Sequence, residues 1–182
     1  MIIAKQKKQE NPAEYVLYMW QIEDMIRACQ FDMDIIKEKL IIGYDVKEDH
    51  KREIVSWYEG LIQQMQDEKI TKKGHLQFLK NQVNDLQEFH LYLLNDDIET
   101  TYHEFAGIAA PNIELFREKS KDKTANEVKV CLSALYSLLM LRLQKREITK
   151  ETEQAMSSFS NLLGLLSKKY IDFHKGETEL NK

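Results

Sequence analysis

Apolar residues recur at steps of three and four along most of this chain, which is the spacing of one face of an α-helix. Only two prolines and six glycines interrupt that pattern in 182 residues. The pattern therefore predicts an all-α protein, a single compact helical bundle of about six or seven helices. We expect one helical domain at 11–176, preceded by a flexible polar lead-in at 1–10 and followed by a polar tail at 177–182.

The first long helix has a well-marked start. Asn11 is a good N-cap, Pro12 suits the first helical position, and Glu14 stands three residues after the cap. Apolar residues at helical spacing then continue to Cys29. These signals together predict a helix over about 12–30.

Capping residues also mark the next two helices. Asp32 is the expected cap of a shorter helix that ends at Gly43, because glycine adopts the left-handed conformation without steric cost. Asp45 with Glu48 forms a capping pair ahead of a long helix that ends at about residue 69.

Thr71 is the predicted cap of a helix over 72–95. A further helix follows and is expected to stop or kink at 107–111. Pro111 has no backbone N–H and crowds the preceding turn, and Gly107 lets another backbone or a ligand approach closely. We interpret this break as a corner between packed helices, with a functional cleft as the alternative.

A capping box of Thr124 and Glu127 predicts the start of the most apolar helix, at 125–145. This stretch is too short to span a bilayer, which needs about 20 apolar residues. A helix that is apolar nearly all round is covered by neighbours on several sides. We therefore place it at the centre of the bundle, with Leu135 and Leu139 in the core.

Two similar turns, each reading Ile-Thr-Lys, lie at 70–72 and 148–150. Short turns make the flanking helices antiparallel neighbours, so we expect the bundle to be built on two antiparallel hairpins. A gene duplication would explain the likeness, and so would convergence of helical hairpins on an apolar-Thr-Lys turn. We favour convergence, because the agreement fades away from the turn.

Composition narrows the function classes. The net charge of −4 argues against a surface that tracks nucleic-acid phosphates, so we expect no nucleic-acid partner. Residues 1–10 lack the apolar region of a signal peptide, and no membrane association is expected. Cys29 and Cys131 each lie in an apolar helical pattern, which indicates buried thiols in a reducing compartment. The expected location is the cytoplasm.

The strong signatures of catalysis and of metal binding are missing from the sequence. There is no His-Glu-x-x-His, no paired Cys-x-x-Cys, no phosphate-binding glycine loop and no nucleophile elbow. The nearest approach to a cation site is Glu99 with His103, one helical turn apart, beside Tyr102 and further acidic residues. We favour a structural interpretation of this group as helix caps and a surface pair, and we expect no bound metal and no cofactor.

His90 lies on the apolar face of its predicted helix. A lone histidine in that position is more often a satisfied core side chain than a ligand, with a carboxylate or a backbone carbonyl as its partner. His90, Glu99, Tyr102 and His103 are nevertheless the candidate ligand-binding residues of this chain.

The chain resembles DUF4924, a family of helical proteins of unknown function from Bacteroides-type bacteria. The resemblance rests on Asn-Pro-Ala-Glu-Tyr at 11–15, Ala-Pro-Asn-Ile-Glu-Leu-Phe-Arg at 110–117 and Thr-Lys-Glu at 149–151, together with the length. It would cover the whole chain. It implies a bacterial cytosolic protein with no assigned activity, and it supplies no functional residues to carry over.

Two classes of function remain. The first is a non-enzymatic interaction or scaffold protein that works through a helical groove or as an oligomer. The second is a small-molecule or metal-binding helical bundle, in one form a hydrolase, with its site near 96–111. We favour the first, because the sequence contains no chemically specific motif.

The first long helix carries six large apolar residues in succession at 15–20. A helix packed on one side buries only about half of such a run, and exposed aromatic patches are unusual in soluble monomers. A two-fold homodimer through this helix is the predicted solution. The competing solution places the helix between two layers of its own domain.

Overall fold

The computed structural model describes residues 2–43 and 46–176. Within these residues the chain forms eight α-helices, one π-helical turn and no strand, which confirms the all-α class. The helices are α1 (Ile2–Glu10), α2 (Pro12–Ala28), α3 (Met33–Ile36), α4 (Glu48–Asp67), α5 (Gln77–Leu94), α6 (Thr100–Lys119), α7 (Glu127–Leu143) and α8 (Lys150–His174). The π-helical turn, Lys37–Ile41, continues α3. None of these helices has the length and apolarity needed to cross a bilayer.

The centre of the bundle is shared by α7 and α8. Helix α7 packs against α2, α5, α6 and α8. Helix α8 packs against α1, α2, α5, α6 and α7. The buried stripe of α8 is formed by apolar residues at helical spacing, namely Phe159, Leu162, Leu163 and Leu166. The prediction of a single central helix was therefore incomplete.

Burial along α7 is uneven. Its first half is almost wholly in the core, with Val128, Val130 and Leu132 all buried. Leu135 and Leu139, predicted to be core residues, are only half-buried. The physical reason is that clefts flank the second half of the helix, so its neighbours do not close over it.

Residues 2–10, predicted to be a flexible lead-in, form helix α1 and pack against α2 and α8. Lysine, glutamine and glutamate are good helix formers, and Ala4 is buried at the contact. Asn11 then interrupts the helix with an extended backbone and accepts a hydrogen bond from the Glu14 N–H. The predicted start of α2 at Pro12 is confirmed.

The structure also confirms Asp32 as the cap of α3, where its carboxylate accepts hydrogen bonds from the backbone N–H groups of Asp34 and Ile35. Helix α4 begins at Glu48. Its other predicted capping residue, Asp45, lies outside the described residues.

The predicted Thr71 cap is wrong, because α5 begins six residues later, at Gln77. Two carboxylates outside α5, one in α2 and one at the C-cap of α4, accept hydrogen bonds from the N–H groups at its start instead of a local cap. Glu23 accepts from the Leu76 N–H at 2.8 Å, and Glu68 accepts from the Gln77 N–H at 2.8 Å. Sequence-local capping rules do not detect partners that are 9 and 53 residues away.

The predicted cap of α7 was also wrong. Asn126, rather than Thr124, caps the helix by accepting a hydrogen bond from the Lys129 N–H at 2.8 Å. Thr124 instead donates its hydroxyl to Asp122, which holds the preceding loop.

No break occurs at 107–111, because α6 runs without interruption from Thr100 to Lys119 with Pro111 inside it. Proline removes one helical hydrogen bond and crowds the carbonyl of residue 107. Ala109 and Ile113 are buried on either side of it, along a helix packed against α7 and α8. We attribute the continuity of the helix to this burial, which outweighs the local cost of proline.

The two predicted hairpins are packed differently. Helices α7 and α8 lie closely against each other, as expected from their short turn. Helix α4 has α3 and its π-helical continuation as its main helical neighbours, rather than α5. The likeness of the two turns is therefore not matched by a repeated packing unit.

The apolar run at 15–20 is covered within the chain. Tyr15, Val16, Met19 and Trp20 are buried, and the two remaining residues of the run are half-buried. Helix α2 achieves this by packing against α1, α5, α7 and α8. The exposed aromatic patch that motivated a dimer through this helix is absent from the structure.

The uneven burial of α7 leads to a testable difference between two leucines on one helix. We expect Leu132→Ala to lower the free energy of unfolding by about 2–5 kcal/mol, because it leaves a cavity in the core. Leu139→Ala is expected to cost less than half as much, because its side chain is half-exposed. Urea denaturation at low protein concentration measures both, and equal losses would contradict the uneven burial.

Candidate functional site

His90 joins three helices. It lies on the buried face of α5 and is 1% exposed. Its Nδ1 lies 2.5 Å from the Tyr102 hydroxyl of α6, and its Nε2 lies 2.6 Å from Oε2 of Glu127 in the first turn of α7. The partner of His90 is therefore a carboxylate, as predicted for a core histidine, together with a phenol.

The electrostatics of this network keep Glu127 charged and Tyr102 neutral. The hydrogen bond from His90 lowers the pKa of Glu127 from its ordinary value, assisted by the positive charge of Arg117 and opposed by burial. Burial raises the pKa of the Tyr102 hydroxyl, and nearby negative charge adds to the effect. An ionised Glu127 accepts from the Nε2–H of His90, which leaves Nδ1 to accept from the Tyr102 hydroxyl when the ring is neutral.

Both ring nitrogens of His90 are therefore engaged within the protein. A general base or a metal ligand needs a nitrogen lone pair that can reach the bound group. His90 can supply one only by breaking a short internal hydrogen bond. We assign His90, Tyr102 and Glu127 the role of fastening α5, α6 and α7 together.

The remaining candidates do not converge on a cation site. Glu99 forms an ion pair with Lys169 of α8 at 2.6 Å instead of pairing with His103. His103 Nε2 lies 3.2 Å from the backbone carbonyl of Leu93, to which it donates. Within the described ranges, no group of three His, Cys, Asp or Glu residues is placed to hold a metal ion.

His90 and His103 do line one cleft, of about 250 Å³, between α5, α6 and α7. The small residues Gly107 and Ala110 form part of its wall, and Glu127 lies at its polar side. The cleft thus lies at the predicted segment, although the helix beside it is unbroken.

A second feature is the incompletely covered half of α7, residues 135–143, which we call the α7 ridge and in which Leu138 is the one buried residue. Leu135, Leu139 and Met140 are half-buried, and Leu141 and Leu143 are exposed, the latter by 68%. A helix with apolar residues on all sides thus keeps about half of its length without full cover.

Two clefts flank the α7 ridge. The first, of about 380 Å³, lies towards α6 and α8, and its apolar wall includes Leu115, Phe116, Leu141, Met156 and Phe159. The second, of about 300 Å³, lies towards α2 and α8, with Leu17, Leu135 and Leu163 in its wall. The ridge and its two clefts together form a largely apolar surface, and each cleft also has two charged residues in its lining.

Sequence reasoning missed Glu127 as a partner of His90, having assigned it only to a helix cap. The apolar face around His90 indicated that a polar partner was needed. The identity of that partner depends on how α7 packs against α5, which helical spacing does not reveal. The α7 ridge was missed for the opposite reason, since its apolar sequence was interpreted as proof of cover.

Comparison with known proteins gives one family and no further relative. A family model described as "Domain of unknown function (DUF4924)" matches residues 1–177. A search of curated proteins found no match, and a search of solved structures found none either.

The Glu127 hydrogen bond makes stability depend on pH. Because the folded pKa lies below the ordinary value of 4.5, this carboxylate stabilises the protein above that pH and loses its contribution as pH falls through the folded pKa. In the parent chain the free energy of unfolding should fall as the pH is lowered from about 5 to about 3. We expect this fall to be smaller in Glu127→Gln by about 0.5–1 kcal/mol, a range lowered for solvent screening of a partly exposed group.

Glu118→Gln is the matched control, because Glu118 is an exposed carboxyl near the end of α6. Urea denaturation at several pH values measures both variants. An acid dependence that is the same in Glu127→Gln as in the parent would contradict the proposed coupling to His90.

Proposed function

Since the chain belongs to the DUF4924 family, whose function is unknown, we propose from its own surface that it is a non-enzymatic helical interaction protein. The α7 ridge is its contact surface. The observation that carries the proposal is a helix that is apolar nearly all round and yet only partly covered along its second half, where Leu138 alone is buried.

Burial energetics support an occupant for this surface. Taking a leucine side chain fully out of water contributes roughly 1.5–3 kcal/mol, and the ridge contains several that are half-buried or exposed. Leu143 and Leu141 continue the apolar surface to the end of α7. Contiguous exposed apolar surface of this kind marks sites of protein contact more often than it occurs by chance.

We propose a second copy of this chain as the first occupant. A convex ridge beside concave clefts is self-complementary, because the ridge of one copy can enter a cleft of the other about a two-fold axis. The homodimer proposal therefore moves from α2, whose apolar run is buried, to α7. A helical segment of another protein would use the same ridge-and-groove packing.

The compartment belongs to the proposal as well. Cys29 and Cys131 are buried and unpaired. Burial raises the pKa of the Cys131 thiol, which keeps it protonated and unreactive. Buried free thiols fit the reducing bacterial cytoplasm.

A small-molecule site near 96–111 is the second candidate, supported by the cleft beside His103. This candidate has less support than the ridge, because the histidines lining its cleft already form hydrogen bonds with Tyr102, Glu127 and the Leu93 carbonyl. The metal-binding and hydrolytic forms of this candidate gain no support from that arrangement.

Association through the ridge is tested by light scattering with size exclusion over about 1–100 µM protein. We expect a concentration-dependent dimer for the parent chain. Leu141→Glu should raise its dissociation constant about 10- to 100-fold, because a carboxylate replaces roughly 1.5–3 kcal/mol of apolar burial.

Ile98→Glu is the matched control, because Ile98 is an exposed apolar residue outside the ridge and its clefts. It should leave association unchanged, and circular dichroism checks that both variants fold. A parent chain that stays monomeric at every concentration, or a Leu141→Glu variant that dimerises like the parent, would overturn the self-association proposal.

A further inference from the structure

A second histidine–glutamate pair lies at the start of α5, and it differs from the first in one respect. Glu23 of α2 is fully buried, and its Oε2 lies 2.6 Å from Nδ1 of His75. Its other oxygen accepts the Leu76 N–H at 2.8 Å. Because an ionised carboxylate only accepts hydrogen bonds, Nδ1 of His75 carries a proton in this contact.

The His75 ring is held from a second direction by Trp20. The two rings are stacked, with centroids 4.3 Å apart and planes 18° from parallel. The second ring nitrogen, Nε2, has no hydrogen-bonding partner within residues 2–43 and 46–176. His75 thus has a fixed ring and one uncommitted polar atom, whereas both nitrogens of His90 are used.

His75 lines a cleft of about 240 Å³ between α2, α5 and α7, which we call the Trp20 cleft. Its charged lining residues are Lys80 and Lys129, and no carboxylate lines it among the described residues. Lys129 also forms an ion pair with Asp122 at 2.7 Å, in the loop before α7. Lys80 forms no ion pair among the described residues, so the lining of the cleft carries an unpaired positive charge in a chain of net charge −4, which favours anions locally.

Trp20, one of the residues that line the Trp20 cleft, also has an unsatisfied donor. Trp20 is buried, and its Nε1–H has no acceptor among the described residues. A buried donor without a partner is destabilising, and an acceptor that reached this nitrogen would remove that cost. The apolar part of the wall is formed by the Trp20 ring with Leu79 and Val83.

We propose that the Trp20 cleft binds a small organic anion. Its carboxylate or phosphate meets Nε2 of His75 and the Lys80 ammonium, and its apolar part lies along the Trp20 side of the cleft. A protonated His75 donates from Nε2, while the buried Glu23 carboxylate orients the ring and balances its charge. The volume is below the usual range of about 300–1,000 Å³ for ligand pockets, which selects a compact molecule.

This site is independent of the α7 ridge, since the two surfaces share no lining residue. The first half of α7 contributes Lys129 to the Trp20 cleft, and the second half forms the ridge. Failure of either proposal leaves the other standing.

Fluorescence of Trp20 gives a direct test. The chain has two tryptophans, so Trp57→Phe makes Trp20 the only one and serves as the parent for all titrations. The probes are phenyl phosphate and benzoate, which attach a phosphate and a carboxylate respectively to the same aromatic group. Inorganic phosphate tests the anion alone, and benzyl alcohol tests the ring without a charge.

We expect a saturable change in Trp20 fluorescence with phenyl phosphate or benzoate, and the stronger of the two identifies the anionic group. His75→Gln and Lys80→Gln should each weaken binding about tenfold, since each removes a hydrogen bond to a charged group. Lys72→Gln, the same charge change at an exposed position outside the cleft, should have no effect. Lys80 is also exposed, which protects that variant from folding defects.

Three results would each overturn the proposal. The first is no saturable change with either aromatic anion. The second is equal binding of benzyl alcohol, which would show a merely apolar cleft. The third is undiminished binding in Lys80→Gln and in His75→Gln, with circular dichroism showing that both are folded. Inorganic phosphate that competes with phenyl phosphate, with binding of both lost in Lys80→Gln, would support the anion site and assign its specificity to the phosphate group.

Discussion

The structure depends on covering α7, a helix with apolar side chains around its whole circumference. Such a helix is stable in water only where neighbours surround it. Helices α2, α5, α6 and α8 meet this demand for the first half, which brings Cys131 and Leu132 into the core. Along residues 135–143 the same neighbours leave clefts, so the apolar side chains of this half are only partly covered. The centre of the fold and an incompletely covered apolar surface are thus two halves of one helix.

Polar groups fix how the helices meet around that core. Glu23 and Glu127 each reach a histidine on or beside α5, at opposite ends of that helix. Such bonds must form within the fold, because a buried carboxylate without a partner is costly. At His90 both ring nitrogens have partners, Glu127 and Tyr102, and the network holds three helices together. At His75 it closes on one side only, which leaves Nε2 without a partner among the described residues.

Helical periodicity was sufficient to predict the fold class and the start of α2, because both depend on residues close in sequence. The predicted cap at Thr71 and the predicted break at Pro111 were wrong, because residues distant in the sequence determine where α5 begins and whether α6 continues. The carboxylates of Glu23 and Glu68 accept hydrogen bonds from N–H groups at the start of α5. Burial of residues on both sides of Pro111 keeps α6 continuous. Of the candidate site, sequence placed His90 in the core correctly. It gave no indication of Glu23 beside His75, since those residues meet only when α2 and α5 pack.

The distribution of chemistry over α7 bears on what kind of protein this is. Lys129, near the start of the helix, lines the Trp20 cleft, and Leu141, near its end, lines a cleft beside the ridge. Both belong to one helix, whose first half is closely packed in the core. A partly covered apolar surface and a small polar cleft on one helix support the proposed role in binding. Because the two surfaces share no residue, substitutions such as Lys80→Gln and Leu141→Glu separate ligand binding from association within one fold.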